Sequence, residues 1–210
     1  MLFENRTDAA EKLAIALERY RGDNPGENPL VLGIPRGAVP MARVIAERLC
    51  GESDVVLVRK LRAPGKPEFA IGSVDESGWA YVTPDAAAAG ADDQYIASEK
   101  AIQLESIRAR RAAYTAHRKP IDPRGRLVIV VDDGLATGST MLAALHALRA
   151  AQPRKLVCAV PVAPVETVDR IRSYCDEVCC LEVPPQFYAV GQFYRDFAQV
   201  SDKEVIDSLA

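Results

Sequence analysis

Two adjacent carboxylates, Asp132 and Asp133, are followed closely by a run of small and hydroxyl-bearing residues from Ala136 to Thr140. This run offers backbone N–H groups and three side-chain hydroxyls, which suit the oxygens of a phosphate monoester. The carboxylates would repel that phosphate, so they are better suited to accept hydrogen bonds from a neighbouring diol. One ligand meets both demands, namely a ribose 5-phosphate.

The residues on either side of these groups predict the elements that position them. Leu127–Val131 is apolar without alternation and rich in β-branched residues, which predicts a parallel strand buried on both faces. Residues 141–148 have the pattern of a helix. The N–H groups of 136–140 would then lie at the positive end of the helix dipole, and Gly138 would let the backbone approach the phosphate closely.

Residues 127–140 resemble the phosphoribosyl pyrophosphate (PRPP) binding motif of the type I phosphoribosyltransferases: a hydrophobic strand, two acids, spacers, then Thr-Gly and a hydroxyl residue. The resemblance implies that Asp132 and Asp133 are catalytic and hold the ribose hydroxyls. The residues that it implies as ligands of the 5-phosphate are Ala136, Thr137, Gly138, Ser139 and Thr140. The alternative is a doubly wound protein whose acid pair has another role, as in a receiver domain.

A second small-residue loop follows the first predicted strand. Leu30–Ile34 is an apolar run that leads into Arg36 and Gly37. Ligands bind at the carboxyl ends of parallel strands in this architecture. In the transferases that the sequence resembles, this loop holds pyrophosphate beside a basic residue, which implies Arg36 and Gly37 as pyrophosphate ligands. The alternative is an ordinary strand-to-helix turn with a surface arginine.

The next predicted strand, Asp54–Lys60, ends in the cations Arg59 and Lys60. Residues 61–69 contain proline and glycine at positions that predict a loop. Adenine-type and orotate-type transferases carry a similar Arg-Lys pair, which opens a loop that closes over PRPP. The resemblance therefore implies that both cations bind pyrophosphate and that Lys60 is catalytic. Solvated charge at a strand end is the alternative.

Aromatic residues follow the last predicted strand, Glu177–Val183, where a planar base could stack on them. The hypoxanthine-guanine enzymes have a similar arrangement, with inserted residues separating the two patterns. The resemblance implies Phe187, Tyr188 and Val190 as base ligands and Asp196 as a metal ligand. Hydrophobic packing of a lid is the alternative.

Ala136 stands where the hypoxanthine-guanine enzymes place an Asp that handles the proton of the base, whereas adenine-type and uracil-type enzymes carry Ala there. This position and the aromatic segment favour different substrates. The sequence therefore leaves the base open.

Apolar runs that alternate with helical patterns predict an α/β fold, doubly wound around a mostly parallel sheet. We expect a single domain over residues 1–210, with a core at about 28–183 and a small hood or lid built from 1–25 and 184–210. Because no run is long and apolar enough for a membrane span and the first residues lack a signal-peptide pattern, we expect a cytoplasmic protein.

Several local details follow from the sequence pattern. The first helix is predicted at 7–21 with a capping box between Asp8 and Glu11, and the second at 39–49 with Gly51 in the C′ position. A final helix is predicted to begin at Ser201 with a capping box to Glu204. A hairpin is predicted around the turn 75–78, and His117 and His146 are predicted on the surface or on a helix face.

The family resemblance implies a pentosyl-type glycosyltransferase that moves the ribose 5-phosphate of PRPP to a nitrogenous base or a similar nucleophile in nucleotide salvage. It also implies Mg²⁺ held mainly by the substrate, and a homodimer. With 26 basic and 29 acidic residues, the net charge of −3 argues against binding to nucleic acid or a membrane. The alternatives are a PRPP-sensing regulator that uses a basic surface at about Arg108–Lys119, around the end of the helix predicted at 92–118, to bind RNA, and an inactive structural relative.

Overall fold

The computed structural model describes residues 2–22, 27–115 and 119–210, apart from the side chain of Glu68. Its strands are β1 (Leu30–Gly33), β2 (Glu52–Val55), β3 (Val58–Ala63), β4 (Lys66–Asp75), β5 (Ala80–Val82), β6 (Leu127–Val131), β7 (Lys155–Val162) and β8 (Glu177–Glu182). Its helices are α1 (Arg6–Ala16), α2 (Ala38–Arg48), α3 (Asp93–Tyr114), α4 (Ser139–Ala150), α5 (Val165–Arg172) and α6 (Asp202–Leu209).

A five-stranded parallel sheet in the order β2-β1-β6-β7-β8 forms the centre of the molecule. Every residue of β6 is buried, because both faces of the sheet are covered. Ile129 and Val131 pack with apolar residues of α1 and α2 on one face, whereas Val128 and Val130 pack with those of α4 and α5 on the other. The predicted doubly wound α/β fold is confirmed.

A separate three-stranded antiparallel sheet, in the order β3-β4-β5, leaves the central sheet after β2. The prediction of one strand over 54–60 followed by a loop over 61–69 is therefore wrong. Pro64 and Gly65 form a two-residue turn between Ala63 and Lys66, where the φ of +65° at Gly65 is one that glycine adopts without strain. The predicted hairpin around 75–78 is confirmed by the pairing of β4 with β5.

The helix ends differ from the predicted ones at two places. The side chain of Asn5, and not the box of Asp8 and Glu11, caps α1 by accepting the N–H of Asp8 at 3.0 Å. After α2 the left-handed residue is Cys50, with a φ of +54°, and the N–H of Gly51 donates to the carbonyl of Ala46 at 2.8 Å. The capping box of Ser201 and Glu204 is confirmed at the start of α6.

The basic helix α3 directs one of its arginines inward. Arg111 donates to Asp54 at 2.9 Å and forms an ion pair with Glu76 at 2.6 Å. His117, predicted on the surface or on a helix face, and Arg118, predicted at the end of this helix, fall outside the described residues. His146 lies on α4 but is half-buried, with its ring stacked on Tyr81 at 4.2 Å between centroids.

Segments from either side of the core meet in a short parallel pairing. The N–H of Phe3 donates to the carbonyl of Phe193 at 2.8 Å, and the N–H of Arg195 donates to the carbonyl of Phe3 at 2.9 Å. The Phe3 ring packs on that of Tyr194 with centroids 5.4 Å apart. The part of the chain that the structure describes holds no helix with the length and apolar composition that a membrane crossing requires.

Candidate functional site

The two carboxylates lie at the carboxyl end of β6, and their environments differ. Asp132 accepts the backbone N–H of Asp133 at 2.9 Å through Oδ1. Burial raises the pKa of Asp132 well above its ordinary value, and the charge of Asp133 raises it further. Asp133 instead has a cationic partner, since Nε and Nη2 of Arg6 both lie 2.8 Å from its Oδ2.

Arg6 is a residue of the site that the sequence did not predict. Its guanidinium lies 3.9 Å above the centroid of the Phe197 ring, and its Nη1 donates to the carbonyl of Ala198 at 2.6 Å. Arg6 and Asp133 are far apart in the sequence, and no single motif contains both. No local pattern could have paired them.

The loop 136–140 lies at the start of α4, as its sequence predicts. Gly138 has a φ of +66° and occupies the N-cap position, where it adopts the left-handed conformation that the turn requires. None of the backbone N–H groups of this loop donates to a turn or loop acceptor in the described parts of the chain. The Thr137 and Ser139 hydroxyl oxygens lie 3.1 Å apart. These groups can therefore receive an anion.

Helix α5 holds the loop 136–140 from outside. The hydroxyl of Thr167 donates to the carbonyl of Ala136 at 2.7 Å, and the guanidinium of Arg170 donates to the carbonyl of Thr137. A Cβ added to Gly138 would lie 2.8 Å from the Thr167 methyl carbon. Both carbonyls are thus turned toward α5, which leaves the N–H groups of the loop for a ligand.

The loop after β1 brings Gly37 against the acid pair. A Cβ at Gly37 would overlap the Asp133 carboxylate and lie 2.9 Å from Nε of Arg6, so this position requires glycine. Arg36 follows a cis peptide bond from Pro35, and its guanidinium lies 3.9 Å from Asp202 on α6. The structure therefore places Gly37 beside the carboxylates, whereas the Arg36 side chain extends toward α6.

A cavity of about 320 Å³ opens between the carboxyl ends of β1 and β2, the second sheet, α3 and the start of α4. Its cationic lining residues are Arg59, Lys60, Arg62 and Arg110, and Thr140 of the loop 136–140 also lines it. Among the described side chains, no carboxylate lines this cavity. Arg59 and Lys60 were predicted from the sequence. Arg62 and Arg110 were not, because Arg62 belongs to residues predicted as a loop and Arg110 to the basic helix predicted at 92–118.

Arg59 and Arg110 are the partly buried members of this cationic set. Nη2 of Arg59 donates to the hydroxyl of Ser106 at 3.1 Å. Burial lowers the pKa of Arg59, and the charges of Arg110 and Arg62 lower it further. The cavity therefore concentrates positive charge that an anionic ligand can neutralise.

The predicted base-binding residues occupy different environments. Val190 packs closely against the loop after the acid pair, since a Cβ at Gly134 would lie 2.5 Å from its Cγ1. Phe187 stacks on Phe193 with centroids 5.5 Å apart, whereas the side chain of Tyr188 is 84% exposed. The structure thus brings Val190, but not Tyr188, against the site.

Asp196, predicted as a metal ligand, accepts the N–H of Ala198 at 3.0 Å and is exposed. Its own N–H donates to the carbonyl of Glu4. Within the described residues, no hydrogen bond or ion pair joins it to either carboxylate of the acid pair. No cluster of three candidate metal ligands occurs in the same residues. Mg²⁺ prefers carboxylate and phosphate oxygens, so the acid pair fits a metal whose other ligands come from the substrate.

The fold and the site define a doubly wound α/β protein whose candidate ligand groups lie at the carboxyl edge of its parallel sheet. The sequence model of the family described as "Phosphoribosyl transferase domain" matches residues 3–198. The chain belongs to this family, which confirms the resemblance drawn from residues 127–140.

The comparisons with individual proteins agree with this assignment. The crystal structure of TT1426 from Thermus thermophilus is 45% identical in sequence, with a TM-score of 0.88 and a match that covers 100% of this chain and 98% of that one. Two proteins from strains of Mycobacterium tuberculosis, each provisionally named a phosphoribosyl transferase, are 40% identical over 206 residues. Those residues are 98% of this chain and 46% of each relative, so the chain spans about half the length of the curated relatives it matches.

Proposed function

We propose that this protein transfers the ribose 5-phosphate of PRPP to a nitrogenous base or a similar nucleophile and releases pyrophosphate. One observation carries the proposal: Thr140 belongs both to the loop 136–140, which we propose as the 5-phosphate site, and to the lining of the cationic cavity. The 5-phosphate and the pyrophosphate of one PRPP molecule can therefore be held on either side of it. The acid pair at the end of β6 then faces the ribose that joins the two groups.

In this reaction the bond from C1 of the ribose to a pyrophosphate oxygen breaks, and pyrophosphate leaves with the electron pair. A bond forms from C1 to the acceptor nitrogen, which gives up its proton to the solvent. The N–H groups of 136–140 anchor the 5-phosphate, so that the reacting carbon is fixed in position. Asp132 and Asp133 accept hydrogen bonds from the ribose hydroxyls near the positive charge that develops on the ring.

The cavity residues act on the leaving group. Arg59 and Lys60, together with Arg36 and the backbone at Gly37, share the negative charge of the departing pyrophosphate. Bound Mg²⁺ would supply further neutralisation of the same charge. Because Lys60 lies on the exposed side of β3, we expect it to contact the pyrophosphate directly.

The finer assignments rest on the family. We propose that the reaction belongs to nucleotide salvage, that Mg²⁺ is required, and that the protein works as a homodimer in the cytoplasm. The base is open: Ala136 fits adenine-type and uracil-type acceptors, whereas the Phe187 segment is similar to that of enzymes acting on 6-oxopurines.

The decisive experiment measures pyrophosphate release from Mg²⁺-PRPP with a panel of purine and pyrimidine bases. Asp132→Asn combined with Asp133→Asn removes both carboxylates, and Asp207→Asn on α6 is the control for loss of an exposed carboxylate. We expect release with one base, unchanged in the control and reduced at least about 100-fold in the double variant, as for loss of charge-stabilising groups in other enzymes.

Pyrophosphate release that survives in the double variant would contradict the assignment of the acid pair. PRPP binding without release on any base of the panel would exclude base transfer to those acceptors. That second result would favour the PRPP-sensing regulator, whose RNA binding would have to weaken as salt is raised.

A further inference from the structure

Arg6 lies where three segments of the chain meet. It comes from the first turn of α1, contacts Asp133 at the end of β6, and packs against Phe197 and Ala198 of the segment after β8. Gly37, in the loop after β1, has no side chain and so leaves space for both the Arg6 guanidinium and the Asp133 carboxylate. The side chains of Arg6 and Asp133 are 15% and 17% exposed, so their contact is partly screened from water.

The contact uses only one of the two carboxylate oxygens. Both Nε and Nη2 of Arg6 approach Oδ2 of Asp133 at 2.8 Å. In the described parts of the chain, no hydrogen bond or ion pair to Oδ1 of Asp133 is found. The carboxylate is thereby fixed in orientation with one oxygen still able to accept.

The remaining contacts of Arg6 tie the same carboxylate to the segment after β8. Nη1 donates to the carbonyl of Ala198, and the guanidinium plane lies over Phe197, which stacks on Tyr194 at 4.8 Å between centroids. The hydroxyl of Tyr194 donates to the backbone carbonyl of Asp133 at 2.6 Å. Asp133 is therefore held from this side by two contacts, one from Arg6 to its carboxylate and one from Tyr194 to its backbone carbonyl.

We propose that Arg6 is a positioning residue for the ribose of PRPP: it holds Asp133 through Oδ2 and thereby presents Oδ1 to a ribose hydroxyl. This inference rests on the proposed function, because it requires that Asp133 accepts from the ribose. Arg6 acts through Asp133 and takes no part in bond making or breaking.

The test is a double-mutant cycle on PRPP binding, measured by calorimetry in the presence of Mg²⁺. The variants are Arg6→Met, Asp133→Asn and the two combined. We expect each single substitution to weaken binding about tenfold, the effect of one charge-assisted hydrogen bond. We expect the combined variant to bind no more weakly than Asp133→Asn alone, because Arg6 has then lost the group through which it acts.

Lys12→Met is the matched control. Lys12 is a second cation on α1, it pairs with Asp8 at 2.7 Å, and its amine lies 5.3 Å from the centroid of the Phe3 ring. It makes no contact with the acid pair among the described residues. This variant should bind PRPP as the unaltered protein does.

Arg6→Lys keeps the charge but cannot reach Asp133 and Ala198 from one planar group. We expect it to recover part of the affinity lost in Arg6→Met. If Arg6→Met unfolds at the assay temperature, the same cycle is run with Arg6→Lys, and non-additivity with Asp133→Asn remains the criterion.

The outcomes separate this inference from the proposed function. If Asp133→Asn binds PRPP normally, the assignment of Asp133 fails, and the inference about Arg6 fails with it. If Asp133→Asn weakens binding but Arg6→Met does not, or if the two effects simply add, only the inference about Arg6 is overturned.

Discussion

Asp132 and Asp133 are neighbours, yet substitution of each should move stability in opposite directions. The raised pKa of Asp132 means that the folded protein binds its proton more tightly than the unfolded chain, whose Asp pKa is about 3.9. The free energy of unfolding therefore falls as pH rises from about 4 towards the pKa of the folded state. At neutral pH this carboxylate destabilises the fold.

Asp132→Asn should accordingly melt a few degrees higher than the unaltered protein at pH 7. In a chain of this size, each kcal/mol gained in unfolding free energy raises the melting temperature by about 2–4 °C. Oδ1 of the substituted residue can still accept the N–H of Asp133. The gain should shrink as pH falls towards 4. Asp133→Asn should melt lower, because it leaves Arg6 without its carboxylate. Thermal melts from pH 4.5 to 8 measure both, and a lower melting temperature for Asp132→Asn at pH 7 would contradict the argument.

Residue types reveal a site only where its members are close in sequence. The acid pair and the loop 136–140 form one local pattern, so the sequence alone predicted them and their adjacency. Arg6 reaches Asp133 only through the tertiary fold, and no spacing indicates it. Arg110 was hidden for a related reason, since a charged residue on a long helix reads as solvent-facing until the second sheet is placed beside it.

The start of α4 offers a prediction at the level of one element. Gly138→Ala combines two costs, a φ of +66° and a Cβ 2.8 Å from Thr167. Gly125→Ala is its matched control, because Gly125 has a φ of +68° and nothing within 4 Å of an added Cβ. We expect the control to lose about 1–2 kcal/mol of unfolding free energy, the cost of a left-handed residue with a Cβ.

Gly138→Ala should lose more than this control, because α5 must move away from the loop as well. It should also weaken binding of ribose 5-phosphate, whereas Gly125→Ala should not. Chemical denaturation and calorimetry give the two quantities. Equal losses of stability in the two variants would show that α5 does not hold the loop tightly.

The strands could be predicted from the sequence where nearly all of their residues are buried. The unbroken apolar runs of β6 and β7 have one structural solution, a parallel strand covered on both faces. The hairpin of β3 and β4 was missed because Pro64, Gly65 and Pro67 are typical of a loop. In the fold, the first two make the turn, and antiparallel pairing orders the cationic residues on either side.

At the scale of the whole molecule, Phe3 joins segments from opposite ends of the described sequence. Its side chain is 0% exposed, whereas that of its neighbour Leu2 is 47% exposed. Phe3→Ala should lower the free energy of unfolding by about 3–5 kcal/mol, the usual cost of removing a buried aromatic ring. Leu2→Ala should change it by less than about 0.5 kcal/mol.

Urea denaturation of the two variants measures this difference, with limited proteolysis after β8 as a second reading. Phe3→Ala should expose the segment 184–200 to cleavage, because its pairing with Phe193 and Arg195 is weakened. Similar stabilities for the two variants would show that this pairing contributes little. The sequence predicted that both ends of the chain build a hood over the core, and that assignment stays a prediction.

The pairing of Phe3 with the segment after β8 has a consequence for synthesis on the ribosome. Strand β1 lies between β2 and β6, so the central sheet cannot grow beyond the pair of β1 and β2 until β6 has emerged. Arg6 gains its contacts with Phe197 and Ala198 later still. A nascent chain therefore completes the parallel sheet before Arg6 reaches Phe197 and Ala198, and the full set of contacts around the Asp133 carboxylate forms last.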